Sequence, residues 1–160
     1  MDKTSEDDGT AAGLTPLMQL DVSFEAPLVL ANTPLGLQRL LVARGGKFEG
    51  DALAGKVLPG GGDWVRHRAD GAANLDIRFT LQTDDKHLIG LSARGIFNAS
   101  ADIAARLQAG ETPDPTAYYF RTAMFFETGA ARYQRLNSLI AIGVGTLIPN
   151  GMSTRVFEVL

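Results

Sequence analysis

The stretch 73–82 limits the possible folds most strongly, because apolar and polar residues alternate along it without a break. A period of two is typical of a β-strand, whose successive side chains point to opposite faces. The apolar face of this predicted strand carries Leu75, Ile77, Phe79 and Leu81, and the polar face carries Asn74, Asp76, Arg78, Thr80 and Gln82. Asp76 and Arg78 are close enough on the polar face to bind each other or one shared ligand.

Strand patterns recur along the rest of the chain and predict an antiparallel β fold. Pro27, Pro34 and Gly36 interrupt the pattern after the first strand, whereas Thr-Asp-Asp-Lys at 83–86 and Pro-Asn-Gly at 149–151 are typical hairpin turns. Further strands are predicted at 16–24, 37–43, 87–97, 117–127, 139–148 and 153–160. Because the last strand runs to the end of the chain and needs a partner, we predict that the sheet closes into a barrel.

Helical signals are confined to two places. Ser100 is a good N-cap, Asp102 falls in the first turn and Gly110 ends the element, which predicts one short helix around residues 100–109. A helical turn is predicted near 131–137. The predicted fold class is therefore mainly β, a single-domain antiparallel β-barrel at 14–160 that follows a flexible acidic tail at 1–13.

Composition excludes several classes of function. The 160 residues carry a net charge of −3 without a basic run, so nucleic acid is not an expected partner. The chain has no cysteine for disulfides or thiolate metal sites. A mean hydropathy near zero and the absence of a secretory pattern predict a cytoplasmic protein without a membrane partner.

Metal and phosphate sites are not expected either. The two histidines, His67 and His87, lack carboxylates at ligand spacing, and we expect both at the surface. The glycines at 60–62 lack the following Lys-Ser/Thr of a phosphate-binding loop, so they predict a plain turn. No metal and no cofactor are therefore predicted.

Charged residues inside apolar strands are the candidates for chemistry. They are either the solvated face of a half-buried sheet or the lining of the barrel. The second hypothesis gains support because neither face of the strand 117–127 is polar enough for a solvated surface, and because two arginines with two carboxylates form a neutral set. It assigns catalysis to Asp76, Arg78, Tyr119, Arg121 and Glu127, and substrate binding to Trp64, Arg94, Phe125, Tyr133 and Asn137.

A polar lumen would leave much of the outer wall apolar. The predicted helix covers part of that wall, and a second subunit is the natural cover for the rest. We therefore expect a homo-oligomer, a dimer or higher.

Six ordered motifs give the chain a family resemblance. They are Gly-Gly-Asp-Trp at 61–64, Leu-Asp-Ile-Arg-Phe-Thr at 75–80, Thr-Asp-Asp at 83–85, Tyr-Tyr-Phe-Arg-Thr at 118–122, Phe-Glu-Thr at 126–128 and Tyr-x-x-Leu-Asn at 133–137. In this order they resemble the bacterial and fungal family of domain of unknown function 3237 (DUF3237). The resemblance implies a small antiparallel β-barrel, and it supports the choice of residues more than any reaction.

The predicted function is a cofactor-independent lyase or isomerase acting on a hydrophobic, aromatic small molecule. A carboxylate would move a proton while an arginine or tyrosine stabilises the developing oxyanion. One concrete reaction is retro-aldol release of formaldehyde from a hydroxymethyl group on a lignin-derived phenol. The alternatives are a non-catalytic small-molecule-binding barrel, acting as carrier or sensor, and a structural β-domain.

Overall fold

Ten β-strands form one antiparallel sheet in the computed structural model, which describes residues 11–160. The strands are β1 (Leu14–Phe24), β2 (Leu28–Thr33), β3 (Gly36–Glu49), β4 (Ala54–Val57), β5 (Gly62–His67), β6 (Ala73–Thr83), β7 (Leu88–Ala99), β8 (Tyr118–Glu127), β9 (Ala141–Ile148) and β10 (Gly151–Val159). The helices are α1 (Ala101–Gln108) and two 3₁₀ helices, Pro115–Ala117 and Ala131–Ser138. The predicted fold class, with its short helix and its helical turn, is confirmed. Residues 1–10 of the predicted tail lie outside the described residues.

The sheet closes because β1 pairs with both β10 and β3. The barrel has eight strand positions, since β4 and β5 each pair with β3 and β6 and so share one position. Among the described strands, β2 pairs only with β3. This β2–β3 hairpin was not predicted: its turn uses Asn32 and Gly36 at φ 57° and 96°, where the sequence suggested only an interruption.

Local sequence signals explain the remaining connections. The Ser100 side chain accepts a hydrogen bond from the Ile103 N–H at 3.2 Å and caps α1 as predicted. Lys86 and Asn150 adopt φ 71° and 54° in the β6–β7 and β9–β10 turns, which confirms both predicted hairpins. No helix within residues 11–160 is long and apolar enough to cross a bilayer.

The apolar face of each long strand points into the barrel. On β6, residues 73, 75, 77, 79, 81 and 83 are all buried, whereas the residues between them are exposed or half-buried. One part of the lumen is filled by close-packed side chains, among them Leu20, Phe48, Ile77, Leu81, Ile89 and Met124. Burial of each such side chain contributes about 1.5–3 kcal/mol to folding. The chemistry of the protein therefore depends on what occupies the rest of the lumen.

Gly145 on β9 allows the ring of Phe120 to pack closely against the barrel wall. A Cβ atom at this position would lie 2.5 Å from Cδ1 of the Phe120 ring. We expect Gly145→Ala to lower the free energy of unfolding by about 1–3 kcal/mol, because the ring has to move. Denaturant titration measures the change. Gly90→Ala is the control, since its Cβ would meet the Glu127 carbonyl oxygen at an ordinary 3.6 Å; equal losses in the two variants would contradict this explanation.

Candidate functional site

A cavity of about 270 Å³ occupies one end of the barrel. It lies inside the ends of several strands, beside the β1–β2 connection and the β9–β10 turn. Most of its wall is apolar, and an apolar wall with a few inward polar groups is typical of a small-molecule site. The apolar lining includes Phe24, Leu41, Val65, Leu75, Phe97, Phe120 and Leu147, and the ionisable lining consists of Glu25, Arg39, Asp63 and His67.

The pairing of β3 with β5 places the inner polar groups. Leu41 lies opposite Asp63, and Arg39 lies opposite Val65. Since alternate residues of a strand share a face, Arg39 points to the same side of the sheet as Asp63 and His67. The residues between them, Trp64 among them, point outward. Two neighbouring strands therefore carry a carboxyl group, a guanidinium and an imidazole into one cavity.

Asp63 is the most deeply buried of these groups, with 3% of its surface exposed. Its Oδ1 accepts a hydrogen bond from the Asp76 N–H at 3.2 Å. Burial raises the pKa of the Asp63 carboxyl to about 7, against the opposing effect of that hydrogen bond and with a small further rise from the Asp76 charge. Asp63 can therefore take up or release a proton near neutral pH.

Arg39 and His67 both line the cavity, and each has a side-chain nitrogen without a hydrogen-bond partner within residues 11–160. These atoms, the Nε of Arg39 and the Nε2 of His67, are buried. Burial lowers the pKa of His67, and the positive charge of Arg39 lowers it further. The imidazole is therefore held neutral beside a guanidinium. Buried polar atoms usually have a hydrogen-bond partner in the protein, in water or in a bound molecule.

The residues predicted to be catalytic lie on the outer wall instead. Asp76 and Arg78 are on the outward face of β6, and Tyr119, Arg121 and Glu127 are on the outward face of β8. The prediction that these five side chains converge inside the barrel is wrong. The residues that alternate with them on β6 and β8 have more apolar surface, and their side chains occupy the lumen.

Contacts on the outer wall confirm that these five residues share no cavity. The Asp76 carboxylate lies 3.9 Å from the Arg94 guanidinium, whose side chain is 83% exposed. The Arg121 guanidinium lies over the Tyr119 ring at 5.2 Å. Arg78 and Glu127 line a different pocket, together with Phe79 and Phe125. Such exposed pairs contribute little to stability.

The predicted substrate-binding residues also lie outside the cavity. Trp64 and Phe125 are outward-facing, with 37% and 50% of their surfaces exposed, and Arg94 is on the same wall. Tyr133 is buried, but its hydroxyl donates to Asp85 at 2.7 Å in the β6–β7 turn. Asn137 exchanges two hydrogen bonds with the backbone of Thr128. Tyr133 and Asn137 therefore anchor the 3₁₀ helix Ala131–Ser138 to the barrel.

Sequence reasoning missed Asp63 and Arg39 and misplaced His67, which lines the cavity and not the surface. Two sequence patterns could have indicated these residues. Asp63, Val65 and His67 alternate and so share one face of a strand, and Arg39 is the only charged residue in the apolar run 37–43. Among residues 11–160, no group of three His, Asp or Glu side chains is arranged to hold a metal ion.

Comparison with known proteins identifies relatives of the whole barrel. The family model described as "Protein of unknown function (DUF3237)" matches residues 12–159. A UPF0311 protein of Clostridium acetobutylicum is 28% identical over 144 residues, which are 89% of this chain and 91% of that protein.

Solved structures show the same architecture. A "beta-barrel like protein" from Acinetobacter baumannii is 32% identical, with a TM-score of 0.81 over 94% of this chain and 97% of that one. A structure from Penicillium herquei described as an enzyme is 20% identical, with a TM-score of 0.68 over 94% of this chain and 96% of that one. At that identity the second likeness shows a shared fold and no shared activity.

Proposed function

Because this chain belongs to the DUF3237 family, whose description assigns no activity, we propose its function from the cavity. The proposed activity is that of a cofactor-independent lyase or isomerase, which moves a proton on a hydrophobic, aromatic small molecule bound in the barrel. Asp63 is the acid/base group in this proposal, and it replaces the outward-facing carboxylates of Asp76 and Glu127.

The main support for the proposal is that Asp63 is a buried carboxyl group with a raised pKa and that it faces the cavity. A general base works best when its pKa lies near the working pH, and burial brings the pKa of Asp63 to about 7. The carboxyl also faces a cavity with aromatic walls, where Phe24, Phe97 and Phe120 can contact a planar ligand. A buried carboxyl that serves only packing would be expected to have a salt-bridge partner, and none is present within residues 11–160.

Arg39 and His67 complement Asp63 electrostatically. A positive charge and an imidazole directed into the same apolar cavity lower the energy of a bound anion. In a retro-aldol step, Asp63 would accept the proton of the ligand's hydroxyl group while the adjacent C–C bond breaks. Formaldehyde would leave, and the carbanion would regain the proton from Asp63, so that the enzyme returns to its starting state.

Three aromatic ketones test this proposal. Proton abstraction is followed as deuterium exchange into the methyl group of acetophenone and of p-acetylbenzoate in D₂O, and retro-aldol cleavage as formaldehyde release from β-hydroxypropiophenone. We expect protein-dependent exchange that Asp63→Asn abolishes. Exchange no faster than in buffer, or equal exchange by wild type and Asp63→Asn, would contradict the proposal. A non-catalytic carrier would instead bind these compounds without exchange.

A homo-oligomer remains part of the proposal, with β2 as the contact. Leu28, Val29 and Leu30 are consecutive in β2 and each about half exposed, and the strand has a free edge among the described residues. An uncharged edge of this kind can pair with its own copy in an antiparallel, two-fold arrangement. Light scattering after size exclusion should show that the wild type is a dimer or a higher oligomer. Leu28→Arg should dissociate this oligomer, whereas the control Leu88→Arg, on the exposed start of β7, should not. A monomeric wild type would refute it.

The cytoplasmic location stays a prediction.

A further inference from the structure

The polar groups of the cavity differ in depth. Asp63 is almost fully buried, whereas Arg39 and His67 are half-buried. Asp63, Val65 and His67 are successive inward-facing residues of β5. Arg39 on β3 lies opposite Val65, between the levels of Asp63 and His67. Each inward-facing position spans about 7 Å of extended chain. Along the strand Arg39 therefore lies about 7 Å from Asp63 and His67 about 14 Å, so a ligand with one aromatic ring and a short side chain can span the distance from Asp63 to Arg39.

Charge at the outer end of the cavity favours an anion. Glu25 also lines the cavity, but its carboxylate pairs with Arg44 at 3.3 Å and both side chains are more than half exposed. Within residues 11–160, no carboxylate lies within 4.0 Å of the Arg39 guanidinium. The positive charge of Arg39 is therefore left for whatever enters the cavity.

The donor pattern suits a carboxylate better than other anions. Two buried nitrogens without partners, the Nε of Arg39 and the Nε2 of His67 in its Nε2–H tautomer, match the two oxygens of a carboxylate. A phosphate would leave oxygens without donors in an apolar wall, at a cost in desolvation. The aromatic rings of Phe97 and Phe120, whose centroids are 5.9 Å apart, line the same cavity.

We propose that the cavity selects small aromatic carboxylates, with the carboxylate on Arg39 and His67 and the ring against Phe97 and Phe120. This inference rests on the proposed function for the position of the reacting atom beside Asp63. The preference for a carboxylate is itself a property of ligand binding and is measured without turnover.

Calorimetric titration with phenylpropanoate and phenylpropanamide tests the preference, since the two probes have nearly the same shape but the amide has no charge and only one acceptor oxygen. We expect wild type to bind the carboxylate at least about tenfold more tightly than the amide. This ratio corresponds to the contribution of one charge-assisted hydrogen bond. Arg39→Met should remove most of that difference and leave amide binding almost unchanged. Arg94→Gln on the outer wall loses the same charge and should keep the preference.

Several results would overturn the inference. They are equal affinities of wild type for the two probes, no binding of either probe, and a preference that survives in Arg39→Met. If Arg39→Met fails to fold by circular dichroism, Arg39→Lys and His67→Phe replace it. Lysine keeps the charge without the planar fork, so we expect a weakened but remaining preference; loss of the His67 nitrogen should weaken carboxylate binding alone. An unchanged carboxylate affinity in both replacements would also overturn the inference.

Asp63→Asn separates this inference from the proposed function. The variant should keep the carboxylate preference while it loses deuterium exchange. A protein that prefers the carboxylate but never exchanges deuterium would refute the catalytic proposal alone. A protein that exchanges deuterium but binds acid and amide equally would refute the carboxylate preference alone.

Discussion

Asp63→Asn should lower the rate of deuterium exchange or cleavage by about 10²–10⁴-fold, the usual contribution of a positioned acid or base. Asparagine has nearly the same shape and can still accept the hydrogen bond from the Asp76 N–H, but it cannot take a proton. We therefore expect ligand affinity to change little. The measurement is the rate at saturating ligand together with the dissociation constant.

The pH dependence of the rate provides a second readout of the same group. With Asp63 as the base and a pKa of about 7, the rate should rise up to about that pH and then level off. A base with an ordinary carboxyl pKa would give a flat profile across the neutral range. A flat profile across the neutral range would therefore contradict Asp63 as the base.

Glu127→Gln is the matched control, since it makes the same carboxyl-to-amide change on the exposed outward face of β8. We expect this variant to keep the wild-type rate. If Glu127→Gln lost activity while Asp63→Asn kept it, the catalytic group would lie on the outer wall and the cavity assignment would be wrong.

Stability should fall as pH rises, by about 3 kcal/mol between pH 5 and pH 8 from Asp63 alone. The pKa of this carboxyl is raised from 3.8 to about 7 by folding. The folded protein therefore holds a proton that the unfolded chain has already released. Its stabilising contribution is complete below the unfolded pKa and is lost as pH rises through the folded pKa.

Comparison with Asp63→Asn isolates this contribution from the other titrating groups. His67 acts in the opposite direction at the acidic end, because its lowered pKa stabilises the protein as pH rises. Asp85, whose pKa is lowered to about 2, is fully ionised in this range and adds no slope. In denaturant unfolding, the free energy of unfolding of Asp63→Asn should rise relative to that of wild type between pH 5 and pH 8. A constant difference between the two proteins would show that the pKa of Asp63 is not raised.

These two expectations have a common physical origin. Burying a carboxyl without a cationic partner destabilises its charged form, and the same burial brings its pKa close to neutral pH. Asp63→Asn should thus be both less active and, at pH 8, more stable. A loss of stability for the sake of activity is common at functional sites.

Sequence reasoning predicted the barrel because its signals are local. Strand alternation, the Ser100 cap and the Asn-Gly hairpin each depend on residues close in the chain. It did not predict which face of a strand lines the lumen. On β8 both faces carry aromatic residues, such as Phe120 inward and Phe125 outward, so alternation marks two faces without ranking them.

The sequence alone determined the long strands, the capped helix, the β6–β7 and β9–β10 turns and the family of this protein. Only the tertiary structure decided that the larger apolar face fills the barrel, which turned Asp76, Arg78, Arg121 and Glu127 outward. It also decided that Arg39, Asp63 and His67 meet in one cavity. The reason is that their meeting depends on the register between β3 and β5, and because β4 lies between these strands in the chain, no single hairpin turn fixes that register.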